Sequence, residues 1–260
     1  MPAGRRVLLL GGSTEASRLA DALATRGDDV TVSYAGRTRD RAATPGRVRV
    51  GGFGGVDGLA EHLGAARVEV VVDATHPFAA RMPHHAAAAC AATGTPRLRV
   101  CREPWAPVDG DDWREVGDLD AAAAALGAMG ARRVFLTTGR QELAPFARVP
   151  GVWFLVRAIE PPDPCPLRRA SVVLARGPFE ERGELALLRD HAIDTVVAKN
   201  SGGGAAEAKL HAARRLSLPV VMVRRPPGPA GPRVATVDEA LRWLDALPAR
   251  RGAAQDVASG

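Results

Sequence analysis

An α/β fold built from parallel sheets with helices on both faces, divided between two lobes, is what the 260-residue sequence predicts. Three observations carry it. Short aliphatic or β-branched runs end in glycine-rich or polar loops, and amphipathic alanine-rich segments follow most of them. The connections are short, which suits right-handed crossovers between parallel strands. The alternation is broken once, by the aperiodic stretch CREPWAPVDGDDWREVGD at 101–118, rich in Pro, Gly and Asp.

Taken in order, the first half places strands near 6–10, 29–34, 47–51, 69–73 and 97–101, and helices near 14–26, 56–65 and 79–93. After the linker come strands near 132–137, 152–157, 171–174, 194–198 and 219–223, and helices near 119–129, 180–190, 204–216 and 237–247. The expected units are therefore residues 1–110, residues 111–249 and a tail, 250–260, that offers no apolar face and should fray.

Composition narrows the function classes. No apolar run approaches the roughly 20 residues that span a bilayer, and RRVLLLGGSTEA lacks the length and cleavage site of a signal peptide, so a cytoplasmic location is expected. Cys90, Cys101 and Cys165 show no C-x-x-C spacing and no histidine cluster, which reads as free thiols and no metal site. A formal charge of +6 admits nucleic acid, an anionic cofactor or an acidic substrate. Only 4% aromatics and scattered basic residues argue against nucleic acid and leave a polyanionic small molecule. The oligomeric state is not set by the sequence; a monomer or weak dimer is the expectation.

In open α/β sheets ligands sit beyond the carboxyl ends of strands, so each such loop is a candidate. In VLLLGGSTEA, Gly11, Gly12, Ser13, Thr14 and Glu15 open a helix whose amino terminus could cradle a phosphate, or form a plain capped turn. VTVSYAGRT offers Ser33 and Arg37, with Arg39 beyond, where a dinucleotide fold reads the adenosine ribose. VGGFGGVDGL sets Gly51, Gly52, Gly54 and Gly55 around Phe53, a density that points either to close approach of a ligand or to several positive φ angles. VVVDATHPFAARM delivers Asp73, Thr75 and His76, the last able to donate a hydrogen bond or a proton. VFLTTGRQELAPF gathers Thr137, Thr138, Gly139 and Arg140, which suit a carboxylate or phosphate. KNSGGG, at 199–204, is conspicuous because Lys199 and Lys209 are the chain's only lysines and Asn200 its only asparagine. Such rarity argues that Lys199 and Asn200, with Ser201 beside them, bind the cofactor, since a point donor and an amide suit a nicotinamide amide, a ribose or a phosphate, while Lys209 fits an incidental survivor.

The motifs LLLGGSTEA, GGFGGVDGL, DATHPFA, FLTTGRQELAPF and KNSGGG with the AAEAKLHAARRLSLPVVMVRRP that follows, in that order over about residues 6–226, resemble the precorrin-6A reductase family of cobalamin biosynthesis. The resemblance implies two Rossmann-like lobes with the active-site cleft between them. It implies NADPH as cofactor and hydride delivery to a ring double bond of a polycarboxylate tetrapyrrole, giving precorrin-6B or its cobalt counterpart. By motif, Gly12, Ser13 and Thr14 would meet the dinucleotide, Arg37 would lie near its adenosine end, and Gly52–Gly55 would pack along it. His76, Thr138, Gly139, Arg140, Lys199, Asn200 and Ser201 would line the cleft, with Gly202 and Gly203 beside them. One departure is RMPHHAA, where the family leads one to expect a polar Ser/Asn pair; His84 or His85 stand in its place.

Reduction also needs a proton. The candidates are His76 and, in VRAIEPPDP, Glu160 and Asp163. Arg81, Arg140, Arg157 and Arg176 are available to substrate carboxylates. Two other readings fit the same loops: a different NADP-dependent oxidoreductase or epimerase, and a nucleotide sensor without chemistry.

Overall fold

The computed structural model describes residues 4–36 and 44–248. The first part of the chain forms β1 (Arg6–Leu10), α1 (Thr14–Thr25), β2 (Asp29–Tyr34), β3 (Arg47–Val50), α2 (Gly55–Ala65), β4 (Val70–Asp73), α3 (Met82–Thr93) and β5 (Arg97–Val100). A second run follows: β6 (Trp113–Val116), α4 (Leu119–Met129), β7 (Arg133–Leu136), β8 (Trp153–Ala158), β9 (Ala170–Leu174), α5 (Glu181–Asp190), β10 (Thr195–Lys199), α6 (Ala208–Arg215) and β11 (Val220–Val223). The chain ends in β12 (Arg233–Val234) and α7 (Val237–Ala246).

Two six-stranded sheets result, ordered β12-β5-β4-β1-β2-β3 and β6-β11-β10-β7-β8-β9. Every strand pairing among the described residues is parallel. The order reverses between β1 and β4 in the first sheet and between β7 and β10 in the second. At such switch points neighbouring loops leave toward opposite faces and open a crevice for a ligand.

Both faces of each sheet are covered, and the strand sequences show it. Along β1, Val7 and Leu9 pack with Leu19 and Leu23 of α1 and Leu244 of α7, whereas Leu8 and Leu10 pack with Leu59 and Leu63 of α2 and Cys90 of α3. Strands buried on both sides become near-continuous aliphatic runs. In the second sheet Val134 and Leu136 face α4, and Phe135 faces α5 and α6. No described helix is long and apolar enough to cross a membrane. Cys90, Cys101 and Cys165 are free thiols.

Four expectations need correction. Residues 113–116 form edge strand β6, paired with β11, inside the stretch read as linker. Strand β12 pairs with β5, and α7 packs its Ala240 and Leu244 into the core of the first sheet, so the chain returns to the first lobe instead of ending in the second. Helix α3 starts at Met82, later than 79, because His76–Ala79 closes a turn with Ala79 N donating to His76 O at 2.7 Å. The helix expected over 204–216 is divided into a 3-10 turn, Gly204–Ala206, and α6. The expected tail, 250–260, lies outside the described residues.

Candidate functional site

The first-lobe side of the crevice begins at the β1–α1 turn. Gly11 N donates to Ser33 O at 2.8 Å, and a Cβ on Gly11 would come within 2.7 Å of the Tyr34 ring. Gly12 has φ +142°, a conformation that L side chains rarely adopt. Ser13 caps α1 by accepting from Ala16 N at 3.2 Å, and its hydroxyl donates to Ala74 O at 2.8 Å, which ties this turn to the β4 loop. Thr14, exposed, opens the helix, whose first-turn amides other than the capped Ala16 N have no partner within the helix. Glu15 turns toward the chain that leaves the first lobe after β5, where its Oε2 meets Arg102 Nη1 at 2.7 Å.

The glycine-rich loop after β3 lies open. A Cβ at Gly52, Gly54 or Gly55 would meet nothing within 4 Å. Positive φ accounts for glycine at 54 and 55, but neither φ nor packing demands it at Gly52, which leaves close approach of another group as the reason there. Arg49 braces this loop: its guanidinium donates to Gly51 O at 2.6 Å and Gly52 O at 2.7 Å and stands 3.8 Å from the Phe53 ring centroid. Arg49 was not foreseen, although it is register partner to Ser33, the buried next-to-last residue of β2. Arg37 and Arg39 lie outside the described residues.

At the end of β4, Asp73 is fully buried and accepts from Thr75 N at 3.1 Å and Thr75 Oγ1 at 2.7 Å. Thr75 therefore serves the turn. His76 Nδ1 accepts from Phe78 N at 3.2 Å, which puts the proton of the neutral ring on Nε2. Phe78 reaches across to pack against the core of the second lobe, and Lys199 Nζ lies 5.2 Å from its ring centroid.

The second-lobe side is built on β7 and β10. Thr137 N and Oγ1 both donate to Val197 O, at 3.1 and 2.9 Å, fixing the loop after β7 to its neighbour. Thr138, Arg140, Glu142, Ile159, Glu160 and Lys199 then line a cavity of ≈ 190 Å³, with Gly139 at φ +100° turning the chain between them. Lys199 Nζ meets Glu142 Oε2 at 2.6 Å, and Arg140 Nη2 meets Glu160 Oε2 at 2.7 Å. Asp163 is exposed and does not line the cavity.

Several expected ligand contacts have other work. Asn200 is a clamp on the linker: Oδ1 accepts from Trp105 N at 2.7 Å and Nδ2 donates to Trp105 O at 2.9 Å. Ser201 O accepts from Arg102 and Arg225, and Arg102 Nε also reaches Gly202 O at 2.8 Å. A Cβ on Gly202 would fall 1.9 Å from Glu103 O, and one on Gly203 2.7 Å from Arg102 Cδ. The KNSGG loop thus fastens the two segments that cross between the lobes. Arg102 and Arg225 were missed because both sit in aperiodic, proline-rich chain where one more arginine gives no contrast. Arg157, expected to bind substrate, is 8% exposed, doubly bonded to Glu184, and its guanidinium lies 3.7 Å from the Phe179 ring centroid on the α5–α6 side. It belongs to the core. Arg81 and Arg176 are exposed, and His84 donates to Pro227 O at 3.2 Å on the crossing segment. Among the described residues no cluster of His, Cys, Asp or Glu could hold a metal ion.

The arrangement offers an anion cradle with open backbone on one side, a charged cavity on the other, and an imidazole between them. Known proteins resemble the chain in sequence and fold. The family model described as Precorrin-6x reductase CbiJ/CobK matches residues 6–245. A precorrin-6A reductase of Rhodobacter capsulatus is 50% identical over 240 residues, 92% of this chain and 95% of that protein. One from Rhodococcus erythropolis is 48% identical over 249 residues, 94% and 99% of the two chains. A solved structure named CobK precorrin-6A reductase superposes with a TM-score of 0.88 at 50% identity, covering 93% of this chain and 96% of that one.

Proposed function

The chain belongs to the precorrin-6x reductase family, and from that premise we propose that its first lobe carries NADPH while its second-lobe cavity takes the edge of precorrin-6A. It reduces a carbon–carbon bond of that macrocycle in cobalamin biosynthesis. The observation that carries the division of labour is the contact between the switch points: Phe78, in the loop after β4, packs on the second-lobe core and lies 5.2 Å from Lys199 Nζ at the end of β10.

The first-lobe residues fit a dinucleotide. Gly12 and the amides at the start of α1 suit a pyrophosphate, and the open space on the side-chain positions of Gly52, Gly54 and Gly55 suits the close approach of its body. Bound NADPH supplies the hydride. Orientation falls to the chain: Arg49 holds the glycine loop, and Ser13 locks the β1 turn to the β4 loop. His76 is the donor to the carbon next to the hydride acceptor: the ring takes up a second proton from solvent, releasing the Phe78 amide from Nδ1, and the imidazolium gives one proton to the carbon and returns to the neutral form. Glu160 is engaged by Arg140 and Asp163 lies outside the cavity, so neither competes for that role. Lys199, first expected beside the cofactor, shares the cavity with Thr138 and Arg140 and goes with the substrate. The enzyme works in the cytoplasm on a small polycarboxylate.

Purified protein given precorrin-6A and NADPH should oxidise the cofactor and change the tetrapyrrole spectrum. NADPH should bind more tightly than NADH, with a narrower gap in Arg37→Ala; equal affinity in the unmodified protein overturns the assignment of NADPH. His76→Ala should slow turnover by roughly 10²-fold with NADPH binding kept, and normal turnover would remove the imidazole from the reaction.

A further inference from the structure

Two ion pairs and a buried hydroxyl share the second-lobe cavity. The Lys199–Glu142 and Arg140–Glu160 pairs flank it, and Thr138, 3% exposed, has an Oγ1 with no hydrogen-bond partner among the described residues. A buried hydroxyl without a partner is unfavourable, so it marks a place where a binding group completes the structure. The members of the first pair are not held alike. Lys199 ends central strand β10, its side chain is 15% exposed, and its ammonium lies against the Phe78 ring. Glu142 closes a single 3-10 turn, Arg140–Glu142, and its side chain is 30% exposed. The anion is the partner able to leave.

We propose that this cavity is the subsite for one carboxylate arm of the substrate, and that Glu142 is its built-in competitor. When the arm enters, its carboxylate takes the place of Glu142 on Lys199 Nζ and accepts the Thr138 hydroxyl, while Glu142 turns toward water. Exchanging one carboxylate for another at the same ammonium leaves the local charge balance unchanged. A stray anion that brings charge alone therefore gains little over the resident glutamate. An arm long enough to reach Thr138 gains an extra bond. The pair acts as a selectivity filter, set against small anions and open to a carboxylate on a sufficient tether.

The proposal rests on the reading that the second-lobe cavity receives the macrocycle. Its test is equilibrium titration of precorrin-6A without NADPH, followed by tetrapyrrole absorbance, alongside turnover of the unmodified protein. Glu142→Gln should tighten binding about fivefold or more, and tricarballylate should inhibit this variant at concentrations that leave the unmodified protein untouched. Thr138→Val should weaken binding several-fold in both backgrounds; Thr138→Ser should restore it. Weaker binding in Glu142→Gln would make Glu142 a support for Lys199, and unchanged binding would make it a bystander; either result overturns the exchange. Glu142→Ser gives the same contrast if the glutamine variant folds poorly. Absence of turnover in the unmodified protein would strike the functional reading instead, whereas normal turnover without tightening strikes the exchange alone.

Discussion

Lys209 is 3% exposed, donates to Ala206 O, and stands 4.9 Å from the Trp105 ring centroid near the Arg157–Glu184 pair. Burial and then Arg157 push its pKa down to about 7, against the opposing pull of Glu184 and Glu207. In the unfolded chain a lysine keeps its proton to about pH 10.4. Between those limits the unfolded state binds the additional proton, so stability rises as pH climbs through the window and is lost as pH falls toward 7. Urea unfolding at pH 7 and at pH 9.5 should show this gain, and Lys209→Met should abolish most of it; parallel curves for the two proteins would mean that the lysine stays charged. Rarity in the sequence picked out Lys199, Asn200 and Lys209, but rarity does not name a partner. The partner of Asn200 is Trp105, 95 residues away, and no local pattern connects them. His76, Thr138 and Lys199 were legible because strand ends are local features. Arg49, Arg102 and Arg225 were not, since they stand among many arginines.

Elements buried on both faces were readable: β1, β4, β7 and β10 are runs of aliphatic residues bounded by turns. Edges were not. In β6 the sequence WREV has half-buried ends and exposed middle residues, and β12 is a pair of residues whose sheet partner among the described residues is β5. The loop after β10 gives a sharp test of element geometry. Gly202 has φ +65° and abuts Glu103 O, whereas a Cβ on Gly204 would meet nothing within 4 Å. Gly202→Ala should cost roughly 2–4 kcal/mol in urea unfolding, and Gly204→Ala should stay within about 0.5 kcal/mol of the unmodified protein. Similar values for the two would show that the crossing segment yields to the added methyl group.

The molecule is joined twice, once by the chain leaving the first lobe after β5 and again by the chain returning to form β12 and α7. That return completes the first lobe: Leu244 is fully buried with Leu19 and Leu23, and Arg5 Nη2 donates to Leu247 O at 2.6 Å across 242 residues of sequence. Helix α7 was legible as an amphipathic segment, but periodicity does not say which sheet it covers, and the nearest sheet in sequence is the wrong one. Truncation after Gly231 should expose the α1 face of the first sheet and abolish NADPH binding; retained binding together with unchanged protection of the first lobe from proteolysis would show α7 to be dispensable. The same return orders events during synthesis. On the ribosome the first sheet waits for β12 at Arg233–Val234, while the strands of the second are already complete at Val223. The half made first is finished last, and until then its aliphatic face waits uncovered, within reach of chaperones and of other nascent chains.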